Sequence, residues 1–226
     1  MISVIIPTLN ERQVIRACIE SVLSGRHNGE VVVSDGGSAD GTPGVVREYA
    51  GRNVLLVEGG KGRGTQMNAG ASVAHGDVFL FLHADTRLDK GWDDAVTAAM
   101  KDAGTAAGAF SLRIDSDRRH FRLIEAWVRF RCRLFSLPYG DQAIFVRRRT
   151  FLDIGGYREI PLMEDVDLIA RLKATGRIVV RQEKVFTSAR RWEREGWLFT
   201  SARNPLIMLL YRLGVDPKRL ARMYCR

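Results

Sequence analysis

The sequence predicts an α/β protein with a mostly parallel central sheet, helices on both of its faces and a mixed second half. Two observations support this prediction. Apolar runs alternate with helical segments through the first part of the chain, which is typical of a parallel sheet. The runs are continuous rather than alternating with polar residues, as strands buried on both faces require. The chain has 226 residues, 46% hydrophobic and 27% charged, so its composition is ordinary for a globular protein. We expect one domain over residues 1–226.

The first half, residues 1–112, contains four predicted strands. Each is a short run rich in β-branched and aromatic residues, at 2–8, 30–36, 53–59 and 77–83. Asn10 is predicted to cap the first helix, with Gln13 three residues later as its capping-box partner. Thr42 and Pro43 predict the start of a second helix, and residues 65–74 a third.

The second half, residues 113–226, is mixed. Strands are predicted at 106–114 and 140–148, and a helix at 120–137 lies between them. Residues 177–188 predict another strand or strand pair, and roughly the last 35 residues predict helix. This C-terminal segment contains many large apolar residues together with several arginines. They fit an interfacial helix on anionic lipid, a packed terminal helix or a dimer contact.

The two halves carry opposite net charge. Residues 1–112 contain 10 Lys and Arg against 13 Asp and Glu, a net charge of −3, and residues 113–226 contain 25 against 13, a net charge of +12. A basic half fits an anionic partner such as phosphate, a membrane surface or nucleic acid, and it fits a solvated basic surface equally well.

Targeting and redox features favour a cytoplasmic protein. Cys18, Cys132 and Cys225 match no metal motif, and an odd number forms no complete disulfide framework. Met1 leads directly into a predicted strand without a signal sequence, and no run of about 18 apolar residues is present. The alternative is a protein whose basic half contacts the inner face of the membrane peripherally.

Polar side chains follow each of the first four predicted strands. In strand order they are Thr8, Asn10 and Glu11, then Asp35, then Lys61 and Arg63, then His83 and Asp85. Acids at strand ends are commonly turn or capping residues. Because parallel strands end at one edge of a sheet, however, all four sets should meet there, which favours a ligand site.

This set of side chains suits a nucleotide. Carboxylates accept hydrogen bonds from a base or a ribose, and Lys61 and Arg63 can meet phosphate. An aspartate at a strand tip, such as Asp85, can hold Mg²⁺ or Mn²⁺. The run GGKGRGT at 59–65 lacks the Lys-Ser/Thr ending of a P-loop, and no GxGxxG follows the first strand. Neither of these two nucleotide motifs is present.

Several motifs resemble those of the inverting family-two glycosyltransferases, which have the GT-A fold. They are SVIIPTLNE (3–11), VVSDGGSADGT (32–42), FLHADT (81–86), GGY (155–157) and MED (163–165). The details KGRGTQMNAG, FLHADT and TSARRW resemble more closely the short bacterial transferases described as radical-SAM/selenodomain-associated. The resemblance covers most of the chain.

The resemblance implies a nucleoside diphosphate sugar as donor, with a UDP-sugar expected, and an acceptor that stays unknown. Thr8, Glu11 and Asp35 would line the base and ribose pocket, and Asp85 would be the metal-binding acid of the family's DxD motif. Asp165 would be the catalytic base, with Glu164 beside it. The full set expected to bind the donor is Thr8, Asn10, Glu11, Asp35, Lys61, Arg63, His83 and Asp85.

The strand-end motif departs from the family pattern. Acids normally stand at both ends, but here the motif is His83-Ala84-Asp85, with one carboxylate. His83 can contact ribose or diphosphate, bind a metal weakly, or simply be hydrogen-bonded at the strand end. No histidine follows His120, so the late metal-ligand histidine of some relatives is missing. Both departures put the expected Mn²⁺ or Mg²⁺ requirement in question.

Displacement at an anomeric carbon needs a base that takes the proton of the attacking hydroxyl. The segment PLMEDVDLIARLKATG predicts a helix that places Asp165 near its N-terminus, with Ala170 among the residues facing the core. Asp167 is predicted to point elsewhere, as a surface or capping acid. The alternative is that Glu164 and Asp165 only complement the helix dipole.

The second half holds further candidates for the acceptor or the diphosphate. Arg190 and Arg191 can stabilise charge on a leaving diphosphate, and Trp192 can stack on a sugar. A basic helix start anchored by a core tryptophan is the alternative. Asp141 and Gln142 open the predicted strand 140–148, where Asp141 can bind sugar hydroxyls or cap a turn.

Two other functions compete with sugar transfer. A nucleotidyltransferase of the same fold class would have a glycine-rich loop after the first strand, whereas PTLNER stands there. A non-enzymatic basic module that binds membrane or polyanion would have no reason to gather acids at four strand ends. We expect an enzyme, and no nucleic-acid partner.

Overall fold

The computed structural model describes residues 1–26 and 29–224. Within them, eight strands form one sheet: β1 (Ile2–Thr8), β2 (Glu30–Asp35), β3 (Val54–Glu58), β4 (Val78–Phe81), β5 (Thr86–Leu88), β6 (Thr105–Asp115), β7 (Ile144–Arg147) and β8 (Arg177–Ser188). Their order across the sheet is β3-β2-β1-β4-β7-β6-β8-β5. Residue 112, the boundary between the two halves, lies within β6, so both halves contribute to the same sheet.

Helices surround this sheet. They are α1 (Ile15–Leu23), α2 (Thr42–Arg47), α3 (Arg63–Val73), α4 (Trp92–Met100), α5 (His120–Phe135), α6 (Arg148–Asp153), α7 (Glu164–Lys173), α8 (Arg190–Glu195), α9 (Trp197–Arg212) and α10 (Pro217–Tyr224). A short 3₁₀ helix, Gly140–Gln142, precedes β7. No helix in the described ranges is long and apolar enough to cross a membrane.

The strand directions confirm the predicted fold class. β1 is parallel to β2 and β4, and β2 is parallel to β3. The other side of the sheet is mixed, because β7 runs antiparallel to both β4 and β6, while β6 and β8 are parallel and β5 is antiparallel to β8. The carboxyl ends of β1, β2, β3 and β4 therefore lie along one edge.

Alternate residues of β1 face two different cores. Ile6 belongs to the core that contains Ile19 of α1, and Ile5 belongs to the core on the other face, with Met67 of α3. Full burial of each such side chain contributes about 1.5–3 kcal/mol. Gly70 allows α3 its close approach, since a Cβ at this position would lie 2.5 Å from Ile5 Cγ2.

Two details of the predicted elements are wrong. Asn10 does not cap α1, which begins at Ile15 with Val14 at the cap position and no side-chain cap. Asn10 has a φ of +56°, and its Oδ1 accepts the backbone N–H of Ala39 at 2.9 Å, so it joins two loops instead. The strand predicted at 140–148 is shorter, because its first residues form the 3₁₀ helix.

Candidate active site

Side chains tie the carboxyl ends of β1 and β2 together. Thr8 Oγ1 donates to Asp35 Oδ1 at 3.2 Å. The other oxygen of Asp35 accepts two backbone N–H groups of the following turn, at 3.0 and 2.8 Å. Gln66 Nε2 donates to the Thr8 carbonyl at 2.5 Å. The loop geometry thus holds Asp35 at the edge of the sheet, where it shapes the turn.

Arg190, at the start of α8, lies between acids that follow two different strands. Its Nη2 is 2.7 Å from Glu11 Oε2 and 3.7 Å from Asp85 Oδ2. Burial raises the pKa of Glu11, Arg190 opposes this rise, and the Asp85 carboxylate adds to it. One guanidinium therefore links two of the acids expected to bind the donor.

A cleft with an empty volume of about 910 Å³, including its open mouth, lies beside these acids. Eight of the residues singled out from the sequence line it: Arg63, His83, Asp85, Asp141, Glu164, Asp165, Arg191 and Trp192. The other seven do not line it: Thr8, Asn10, Glu11, Asp35, Lys61, Gln142 and Arg190. The cleft therefore joins the end of β4 to elements of the second half.

His83 is a neutral group in this cleft. Burial, together with the nearby guanidinium groups of Arg63 and Arg191, lowers its pKa to about 3. A Cβ at Gly140 would lie 2.8 Å from His83 Nε2, so the ring packs against the 3₁₀ helix. His83 can exchange hydrogen bonds with a ligand without bringing charge.

Asp165 lies in the first turn of α7 with both carboxylate oxygens held by backbone. Its Oδ2 accepts the N–H of Gly140 at 2.7 Å, and its Oδ1 accepts the N–H of Val166 at 2.8 Å. The residue before the helix, Met163, has a φ of +69°, which turns the chain sharply into α7. The carboxylate therefore has a fixed position at the cleft.

Glu164, next to Asp165, is held by an ion pair. Its Oε1 is 3.4 Å from Arg63 Nη1, and its side chain is buried. Burial raises the pKa of Glu164, and Arg63 opposes the rise. Of the two adjacent acids, Asp165 is the one without a cationic partner among the ion pairs found in the described residues.

The surface or capping role expected for Asp167 is wrong. Asp167 is buried and pairs with Arg158 at 3.2 Å and with Arg171 at 2.7 Å. Ala170, expected in the core, is exposed. Both errors have one cause: the face of α7 that carries Asp167 packs against the protein. There Arg158, which precedes the helix, and Arg171, one turn later in it, compensate the charge of the carboxylate.

The 3₁₀ helix separates the roles of Asp141 and Gln142. Asp141 lines the cleft, and burial raises its pKa to about 6, a rise opposed by Arg131 and increased by Asp165. Its Oδ1 is buried with no hydrogen-bond partner among the described residues. Gln142 instead points into the protein, where Nε2 donates to the Phe110 carbonyl at 2.9 Å. Gln142 anchors the turn that presents Asp141.

The C-terminal helices close one side of the cleft. Arg191 Nη1 donates to Tyr224 Oη at 2.6 Å, and Tyr224 also lines the cleft. Trp192 contacts Phe121 edge to face, with ring centroids 6.1 Å apart. Trp192 thus both lines the cleft and packs against the small core beneath α8.

Several residues of the cleft were missed from the sequence, among them the polar side chains Tyr139, Asn204 and Tyr224. Tyr139 directly precedes Gly140 and stacks under Arg131, whose guanidinium carbon is 3.5 Å from the ring centroid. Asn204 is a polar residue within a largely apolar predicted helix, and this contrast could have identified it as a candidate site residue. Tyr224 gives no such indication, because only the fold of α10 brings it to the cleft.

A divalent metal in this cleft would depend on Asp85. Within the ranges that the structure describes, no group of three or more His, Cys, Asp and Glu side chains is arranged to hold an ion. Mg²⁺ at nucleotide sites commonly takes only one or two carboxylates and completes its shell with substrate phosphates and water. Asp85 lines the cleft and supplies one such carboxylate, so the residues fit a metal that arrives with a diphosphate.

Comparisons of sequence identify relatives. Residues 3–157 match the family described as "Glycosyl transferase family 2". A "PGL/p-HBAD biosynthesis glycosyltransferase" of Mycobacterium bovis is 30% identical over 195 residues, which cover 84% of this chain and 76% of that protein. The "Succinoglycan biosynthesis protein ExoU" of Rhizobium meliloti is 32% identical over 197 residues, covering 77% of this chain and 57% of that protein.

Solved structures show the same architecture. The mannosyltransferase PcManGT from Pyrobaculum calidifontis, in complex with GDP-Man and Mn²⁺, superposes with a TM-score of 0.74 at 19% identity, covering 96% of this chain and 66% of that chain. S. aureus TarS in complex with UDP-GlcNAc gives 0.66 at 20% identity, and the match spans 83% of this chain and only 58% of that chain. These likenesses show a GT-A-like fold. Since the family match covers more than half of the sequence, the chain belongs to glycosyl transferase family 2.

Proposed function

We propose that this protein transfers a sugar from a nucleoside diphosphate sugar to an acceptor hydroxyl with inversion, acting as a single domain over residues 1–226. A UDP-sugar is the expected donor. The observation that carries the proposal is the position of Asp165. Two backbone N–H groups fix its carboxylate in a cleft that also contains the strand-end acid Asp85 and the cations Arg63 and Arg191.

In the proposed step, the acceptor oxygen forms a bond to the anomeric carbon while the bond from that carbon to the diphosphate oxygen breaks. The bonding electron pair leaves with the diphosphate, and the acceptor proton passes to Asp165. Because one displacement occurs from the face opposite the leaving group, the configuration inverts. Glu164 keeps Arg63 in the cleft through its ion pair.

The donor is proposed to lie along the edge of the sheet. In this proposal, Thr8, Asn10, Glu11 and Asp35 bind the base and ribose. The diphosphate is bound by Lys61, Arg63, Arg190 and Arg191. Oriented arginines stabilise the charge that develops on a leaving diphosphate. Among the structural neighbours, TarS is seen with UDP-GlcNAc and PcManGT with GDP-Man, so both support a nucleoside diphosphate sugar and leave the base to experiment.

Asp85 would hold a divalent metal, Mn²⁺ or Mg²⁺, together with the donor. Such an ion supplies charge neutralisation at the leaving diphosphate. His83, being neutral, would contact the ribose or diphosphate beside it. Asp141 and Trp192, which line the same cleft, would contact the acceptor.

Calorimetric titration with UDP and GDP, with and without Mn²⁺, tests the proposal. We expect one diphosphate to bind more tightly with Mn²⁺, and Asp85→Ala to lose that metal-dependent gain. Asp153→Ala, which removes an exposed acid that pairs with Arg149 at 3.8 Å and does not line the cleft, is the control and should bind as the wild type does. Absence of binding by either diphosphate would contradict the donor class. Tight binding that depends on neither Mn²⁺ nor Asp85 would indicate that the arginines bind the diphosphate without a metal.

A further inference from the structure

A second groove lies beside the cleft, between α5 and α9. Its empty volume is about 1420 Å³, including its open side. Leu123, Trp127 and Phe135 of α5 form one wall, and Trp197, Pro205 and Met208 of α9 form the other. These side chains cannot form the many hydrogen bonds that a sugar requires, so the groove suits an apolar occupant.

The groove opens directly into the cleft. Tyr139, Asp141, Trp192 and Asn204 line both of them. At this junction the Oδ1 atoms of Asp141 and Asn204 are buried, and neither has a hydrogen-bond partner in the described part of the chain. Buried polar atoms without partners are costly, so a bound molecule that donates hydrogen bonds there would relieve the cost. The junction therefore suits a polar head group, and the groove an apolar body.

The groove is not a closed part of the core. Leu123 is 68% exposed and Trp127 is 53% exposed, although both belong to a helix whose other face is buried. Contiguous apolar surface of this kind on a protein commonly marks a binding site. The charged side chains at the groove include two cations, Arg131 and Arg212, which also tolerate an anionic group near the head.

We propose that this groove binds the apolar body of the acceptor, so that the acceptor is an amphiphile. Its hydroxyl-bearing head reaches Asp165 through the junction at Asp141 and Asn204, while an aliphatic chain or ring system lies between α5 and α9. The inference rests on the proposed function and adds the chemical class of the acceptor to it. The transfer step is unchanged: the head's oxygen bonds to the anomeric carbon and its proton passes to Asp165.

Alkyl β-D-glucosides of increasing chain length, kept below their micelle concentrations, are suitable probes. Three of the four tryptophans, Trp127, Trp192 and Trp197, line the groove, so tryptophan fluorescence reports its occupation. We expect affinity to increase about fourfold for each methylene that becomes buried, and methyl β-D-glucoside to bind far more weakly. Equal binding of the methyl and long-chain glucosides would overturn the proposal.

Two leucines of α5 form a matched pair of variants. Leu123 lines the groove, whereas Leu134, at 59% exposure, is similarly exposed and does not. Leu123→Asp should abolish the chain-length dependence, and Leu134→Asp should keep it. Thermal unfolding of both variants verifies that each is folded, and Trp127→Ala repeats the test without adding charge.

Three outcomes distinguish failure of this inference from failure of the proposed function and from non-specific contact with a lipid bilayer. If the wild type binds a nucleoside diphosphate but shows no chain-length dependence, the groove proposal fails and the proposed function stands. If it binds long-chain glucosides but no nucleoside diphosphate, the donor assignment fails instead. If both leucine variants lose binding to anionic phospholipid vesicles and to long-chain glucosides equally, the whole face contacts lipid and the groove is not a specific acceptor site.

Discussion

The backbone N–H of Gly140 donates a hydrogen bond to Asp165 Oδ2 at 2.7 Å, so the turn that presents Asp141 also orients the proposed base. The 3₁₀ helix and the N-terminus of α7 come from separate parts of the sequence, and this bond joins them at the cleft. Glycine is needed here for space: a Cβ would lie 2.8 Å from His83 Nε2 and 3.4 Å from Asp165 Oδ2.

Gly140→Ala should therefore displace His83 or Asp165 without unfolding the protein. We expect kcat to fall by about 100-fold, since a displacement of about 1 Å at a reacting group has an effect of that size. Steady-state kinetics with the donor identified by calorimetry measures it. Gly44→Ala in α2, where an added Cβ meets no atom within 4 Å, should leave kcat unchanged. Wild-type kcat in Gly140→Ala would show that this contact does not position the base.

Asp165 and Asp167, two residues apart, should respond differently to the same chemical change. Asp165→Asn removes the proposed base, so kcat should fall by about 10²- to 10⁴-fold while donor affinity stays near wild type. Because the amide nitrogen cannot accept one of the two backbone N–H groups, stability should fall by only about 1 kcal/mol. Asp167→Asn removes the charge of a buried carboxylate that pairs with the exposed Arg158 and with the largely buried Arg171, and it should cost about 1–3 kcal/mol of unfolding free energy.

Kinetics and urea unfolding of both variants distinguish these effects. The proposed division of roles requires that the large kinetic loss and the large stability loss occur in different variants. An Asp165→Asn variant with near-normal kcat would mean that another carboxylate of the cleft, such as Asp141, takes the proton.

Arg190 is predicted to bind the donor diphosphate. It lies at 2.7 Å from Glu11 and 3.7 Å from Asp85, so a diphosphate bound there would meet a guanidinium already held in place. Because a charge-assisted hydrogen bond contributes about 1.5–3 kcal/mol, Arg190→Ala should weaken diphosphate binding by at least about tenfold.

The control for this variant is Arg194→Ala in the same helix, an exposed arginine paired with Glu195 at 3.2 Å. Calorimetry should show no change for it. Tighter binding by Arg190→Ala would reverse the interpretation, since it would mean that Arg190 obstructs the donor site by neutralising Glu11 and Asp85.

The strands of the parallel half were predictable because each is a continuous apolar run. β5 was not predictable: it has only three residues, Thr86–Leu88, and its partner is β8, a hundred residues later in the chain. The helix cap predicted at Asn10 was wrong for a related reason. Its residue type favours a helix cap, but the loop after β2 offers its side chain a different partner, the N–H of Ala39.

The candidate site was likewise predictable from the sequence only in part. The strand-end acids could be brought together from the sequence, because parallel strands end at a common edge. The link between Arg190 and Glu11, which are 179 residues apart, depends on how α8 returns to that edge. The same holds for Tyr139 and Tyr224, which enter the cleft through tertiary packing. The radical-SAM/selenodomain-associated subfamily, a finer assignment than the family, stays a prediction.

Asp141 should make stability depend on pH in a defined window. Burial raises its pKa from the ordinary 3.8 to about 6, so the folded state holds a proton that the unfolded state releases. Between about pH 4 and about pH 6 the folded protein therefore binds more protons than the unfolded chain, and stability contributed by this group falls as the pH rises through that window.

Asp141→Asn carries no titrating carboxyl and should lack this loss. The unfolding free energy of Asp141→Asn relative to wild type should therefore increase from about pH 4 to about pH 6 and then stay constant. Urea unfolding of both proteins across this range measures the difference. Asp153→Asn, which changes an exposed acid that does not line the cleft, should show no such trend. A pH-independent difference would mean that Asp141 is already ionised in the folded protein at low pH. Its carboxylate would then be compensated by Arg131 strongly enough to overcome burial, and it would be available as a second base beside Asp165.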